Sequence, residues 1–109
     1  MNDKAKKTAS VPVLKTSTSS TQSKAASMLT QASVAIRERG RSRDKSNGDM
    51  SMNAAVTAFN AIHGHNLTES DGWMFMALLK ASRSAGGEFA EDDYMDGAAY
   101  FAIAGACKA

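Results

Sequence analysis

The sequence predicts an all-α protein: a basic N-terminal tail followed by a bundle of about four helices. Apolar residues recur at helical spacing along most of the chain after residue 23. Glycines and capping residues punctuate those stretches where helices should start and stop. No segment alternates polar and apolar residues with a period of two, as a half-buried strand would.

Residues 1–23 are mostly Lys, Ser, Thr and Gln, with Val11, Val13 and Leu14 gathered around the sole proline, Pro12. Such a segment buries too little apolar area to offset about 1 to 2 kcal/mol of backbone entropy per residue, so it reads as a disordered tail. The short "VPVLK" patch within it has the composition of a docking peptide. Residues 24–109 form the expected helical domain.

In the first helix Ala25, Met28, Leu29, Ala32 and Ile36 fall on one face, and Gly40 supplies the expected stop. "RSRDKSNGD" has charge and turn residues without periodicity and reads as a loop. A second helix, capped by Asp49 or Ser51, places Met52, Ala55, Val56, Phe59 and His63 on one face and ends at Gly64. Thr68 followed by Asp71 is a capping box with Asp in place of the usual Glu, opening a third helix that runs to Gly86–Gly87. Trp73–Leu79 is apolar on every side, so this helix is either central or faces the core on one side and another chain on the other. The fourth helix begins near Ala90, carries Glu91, Asp92 and Asp93 in its first turn, and then becomes rich in Gly and Ala, which lets a neighbouring helix approach closely.

One cysteine, Cys107, excludes an internal disulfide and a Cys-based zinc site, and the chain reads as cytosolic. The N-terminus has no apolar run of signal-peptide length, and Gly97–Cys107 is too short to span a bilayer, so no membrane segment is expected. The net charge of +2 conceals an asymmetry. Residues 1–48 hold ten Lys or Arg against three Asp or Glu, whereas residues 49–109 hold three against eight. A basic arm on an acidic body fits polyanions at one end, or its own acidic face.

Asp96 lies inside an otherwise apolar run. Asp92 and Asp96 are one turn apart, as are Asp93, Asp96 and Tyr100 at i, i+3 and i+7. Like charges so spaced require solvent, a cation from another helix, or a divalent metal. Lys80 and Arg83 lie one helix back across a short glycine turn, so an antiparallel pair of helices brings one of them to Asp96. Two readings follow. Asp96 is a register-fixing ion pair with Lys80 or Arg83, or Asp92, Asp93 and Asp96 ligate Mg²⁺ or Mn²⁺ while Lys80 and Arg83 contact phosphate. His63 and His65 lack a nearby third ligand and read as surface residues, and Cys107 has no paired histidine in sequence.

"RERGRSRDKSNGD", "DGWMFMALLKASR" and "DDYMDGAAYFAIAG" together resemble a family of small phage and prophage all-α proteins of unassigned function, over about Ile36 to Gly105. Its pattern is an "RG" segment, then L-L-K-x-x-R, then D-x-x-x-D-x-A-x-Y. Through the last helix the chain is also distantly similar to MazG-like all-α nucleotide pyrophosphohydrolases, which hold Mg²⁺ with an E-x-x-E pair on one helix and an E-x-x-D pair on the next. Asp93 and Asp96 stand at the second pair. The third helix carries no carboxylate after Asp71, so the first pair has no counterpart there. The resemblance implies a phage-encoded relative acting in the host cytoplasm, either an Mg²⁺-dependent nucleoside triphosphate pyrophosphohydrolase or, with the first pair missing, a nucleotide-binding protein without hydrolysis.

A different class of function rests on the basic half. Arg37, Arg39, Arg41 and Arg43 occupy alternate positions and cannot all share one helix face, which fits an electrostatic contact with nucleic-acid phosphates, or with a host protein, rather than base readout. The apolar circumference of the third helix predicts a homodimer, with Trp73 and Phe75 at its interface.

Overall fold

The computed structural model describes residues 20–43 and 51–109. The expected tail and its "VPVLK" patch, and the Asp49 cap, lie outside the described residues. There are four helices: α1 (Thr21–Arg43), α2 (Ser51–His63), α3 (Glu69–Ala85) and α4 (Glu91–Ala106). The described residues form no strand, and the all-α architecture is as the sequence predicts.

Three boundaries have a local cause. Ser20 caps α1, its Oγ accepting from the Ser23 backbone N–H at 3.1 Å. α1 therefore begins inside the stretch expected to be tail. It also continues through Gly40 to Arg43, correcting the expected stop at that glycine and moving Arg41–Arg43 from loop to helix. An interior glycine costs only about 1 kcal/mol relative to alanine, which neighbouring contacts readily offset. α2 does end where a left-handed residue is needed, at Gly64 with φ +70°. The turn beyond it is clamped by Asn60, whose side chain donates to the Leu67 carbonyl and accepts from the Leu67 N–H, both at 2.9 Å. The capping box of α3 is complete: Asp71 N–H donates to Thr68 Oγ1 at 3.1 Å, and Thr68 N–H donates to Asp71 Oδ2 at 2.8 Å.

α3 and α4 form the central antiparallel hairpin. Its register is set by the buried Ser70 hydroxyl donating to the Ala104 carbonyl at 2.8 Å and by Gly97 lying against Lys80 Cβ. α1 packs on α4 and α2 on α3, while α1 and α2 do not pack on one another. They stand on the hairpin as two separated walls. Gly72 lets α2 come close, because Met52 Sδ and Val56 Cγ2 occupy the space of a side chain there.

The core is made of small residues. Ala32, Val56, Ala77, Ala99 and Ala104 are the buried hydrophobic side chains among the described residues, and no large side chain is fully buried. Met28, Met52, Met76 and Met95 are half-buried around them. Phe75 is 67% exposed, Leu78 59% and Phe101 59%, so the large apolar groups of the hairpin point outward.

Candidate functional site

Asp96 sits at the middle of the hairpin with both carboxylate oxygens engaged. Oδ2 lies 3.1 Å from Lys80 Nζ, and Oδ1 lies 3.6 Å from Arg39 Nη2. The cation brought to Asp96 across the glycine turn is thus Lys80. Arg83 instead reaches Asp93, with Nε 3.7 Å from Oδ1, one turn nearer the turn itself. The antiparallel register explains the division: Lys80 and Arg83 are three apart on α3, and Asp96 and Asp93 are three apart on α4 in the reverse direction. Asp93 is buried, Asp96 half-buried and Asp92 exposed. The like charges are therefore separated by partner, and among the described residues no three His, Cys, Asp or Glu side chains are grouped to hold a metal ion.

Arg39 and Lys80 thus share the one carboxylate of Asp96. Arg39 also lines a cleft of about 800 Å³ between the α1 and α2 walls, with Ile36, Met52, Trp73, Met76 and Tyr100 among its other lining residues. Trp73 and Tyr100 stack across the floor with ring centroids 5.7 Å apart and planes inclined by 28°. Trp73 Nε1 donates to Glu69 Oε2 at 3.4 Å, and Glu69 is a further part of the lining. The site thus combines the Trp73–Tyr100 floor with Arg39 on the α1 wall and the Glu69 carboxylate at the start of α3.

Of the two residues expected at an interface, Trp73 is half-buried in this cleft and Phe75 projects from the outer side of α3. Arg37 is exposed, and Arg41 and Arg43 follow along α1, so the arginine series is helical, with Arg39 turned to Asp96. His63 and His65 both lie against the Phe59 ring, at centroid distances of 4.6 and 5.7 Å. Cys107 is exposed, and local desolvation holds its thiol above its ordinary value.

Sequence reasoning placed Arg39 only in the arginine series and Trp73 only at an interface; it did not bring Arg39 to Asp96 or pair Trp73 with Tyr100. A signal for Arg39 existed: Ala32, Ile36 and Arg39 are spaced i, i+4, i+7, so Arg39 continues the inward stripe of α1.

Fold and site define a small all-α domain with a charged, aromatic-floored cleft. Residues 27–108 match the family described as Domain of unknown function (DUF6378), and the chain belongs to that family. No curated protein and no solved structure matches it.

Proposed function

We propose that the chain is a small phage-encoded accessory protein, distantly related to the MazG-like nucleotide pyrophosphohydrolases, that binds a phosphorylated nucleoside in the cleft between α1 and α2 without hydrolysing it. The observation that carries this reading is the Arg39–Asp96–Lys80 node beside the Trp73–Tyr100 floor. A nucleobase gains stacking energy on an aromatic face, and guanidinium and ammonium groups pair with phosphate oxygens. The carboxylates do not make a resident metal site, since Asp93 and Asp96 are each committed to a cation. Mg²⁺ enters this reading only as the counter-ion of the phosphates. The proposed working unit is a homodimer in the host cytoplasm.

Calorimetric titration with nucleoside mono-, di- and triphosphates in the presence of Mg²⁺ tests the proposal. Binding heat is expected, lost in Arg39→Ala and in Tyr100→Ala, with no pyrophosphate released. Absence of heat across the panel overturns the binding, and release of pyrophosphate overturns the non-hydrolytic part.

A second reading is favoured by the course of α1 through Gly40, which carries Arg37, Arg39, Arg41 and Arg43 on one continuous helix. That arrangement suits nucleic-acid phosphates or an acidic host protein. For nucleic acid, affinity for a DNA duplex would fall steeply with salt and be insensitive to Tyr100→Ala.

A further inference from the structure

A second groove, of about 390 Å³, lies between the N-terminal half of α1 and the start of α4, away from the cleft. Its walls include Met28 and Leu29 of α1, Phe89 from the turn, and Tyr94, Met95 and Ala98 of α4, with no charged side chain among the lining residues. Phe89 and Tyr94 stack at 5.7 Å to make one aromatic wall, yet Phe89 is 75% exposed and Leu29 59%. Glu88, Glu91 and Asp92, all exposed, flank Phe89 and the lining residues of α4 in sequence, and Lys24 precedes Ala25 on α1. The groove is thus apolar inside, with acidic residues next to its α4 side.

We propose that its occupant is the Val11–Pro12–Val13–Leu14 segment of the same chain. Reach permits it. The five residues Lys15–Ser19 span up to about 17 Å when extended. Ala25 to Leu29 lie only about 7 to 14 Å along α1 from Ser20, at 1.5 Å per residue. Chemistry selects it, because this is the apolar cluster of the N-terminal segment, and its proline presents a flat, pre-extended ring of the kind that aromatic-lined grooves accept. Charge orients it: Lys15 follows the segment directly and Lys4, Lys6 and Lys7 precede it, complementary in charge to Glu88, Glu91 and Asp92. The docked segment covers Phe89 and Leu29 and turns the charge asymmetry of the chain into an internal contact.

The test is made on the full chain carrying Cys107→Ser and Ser10→Cys, with a nitroxide attached at position 10. The expected result is strong paramagnetic broadening of the Met28, Leu29 and Met95 methyl resonances, abolished by Leu14→Asp and weakened by added salt. Leu14→Asp lies outside all four helices, so it leaves the fold intact as a control. An equimolar mixture of spin-labelled protein at natural abundance with isotope-labelled, unmodified protein shows only contacts between chains. Substantial broadening in that mixture assigns the groove to a second copy's segment and overturns the proposal, as does the absence of broadening in both samples.

Discussion

The Lys80 ammonium lies 3.1 Å from Asp96 Oδ2, with the two side chains 15% and 21% exposed, and this contact joins the middle of α3 to the middle of α4. Asp96→Ala strands Lys80 in a half-buried position and frees Arg39 from the same carboxylate. We expect a loss of about 2 kcal/mol, below the about 3 to 5 of a fully buried pair because water still reaches this one. Lys80→Met should cost less, since Arg39 continues to hold Asp96. Urea denaturation of both variants checks the order; equal costs would show that Arg39 adds nothing.

Gly72→Ala should destabilise the protein by about 1 kcal/mol, because its new methyl meets Met52 Sδ and comes within 2.9 Å of Val56 Cγ2. The helix-propensity gain of about 1 kcal/mol offsets only part of that overpacking. Met52→Ala in the same chain makes room and should recover much of the loss, giving a coupling measurable in a double-mutant cycle. Additive effects would mean that α2 does not rest on α3 through Gly72.

The Thr68 backbone N–H, and after it the Thr68 hydroxyl, hold the Asp71 carboxyl below its ordinary value of 3.8. The unfolded chain therefore takes up this proton more readily than the folded one, so stability rises with pH across the interval. The contribution is complete above about pH 3.8 and is lost as pH falls through the lower folded-state value. Asp71→Asn should flatten that part of the acid limb in melting temperatures recorded from pH 5 downward. An unchanged limb would remove the capping box from the account.

Met74, Phe75 and Leu78 on α3 and Phe101 on α4 leave an apolar face on the hairpin, over a core of alanines and one valine. A two-fold contact through that face would supply the burial the single chain lacks. Leu78→Glu or Phe101→Glu is expected to yield monomers of lower melting temperature, and the wild-type melting temperature is expected to rise with protein concentration. A wild-type monomer of concentration-independent stability at micromolar concentration would exclude the dimer.

What could be read in the sequence was what short-range chemistry determines. Thr68 and Asp71 specify the start of α3 within four residues, and the Gly86–Gly87 turn forces α3 and α4 antiparallel, which brings Lys80 to Asp96. The partition of Arg83 to Asp93 followed from the same turn only once the register was fixed by Ser70 and Ala104, 34 positions apart. Gly40 misled because the stop signal is a local preference of about 1 kcal/mol, and the turn carrying it is held by a contact with a distant helix, Arg39 to Asp96. The Trp73–Tyr100 floor depends on two walls that do not meet, and that spacing has no signature in either helix alone.

The alanine core also has a calorimetric consequence. The heat-capacity change of unfolding grows with the apolar area that becomes hydrated, and here much of that area is hydrated already on the folded single chain. An isolated chain should therefore unfold with a small heat-capacity increment and a flat stability curve, its enthalpy changing little between cold and warm. Association through the hairpin face would transfer that hydration change to the assembly step, making the heat capacity of binding, rather than that of folding, the larger of the two.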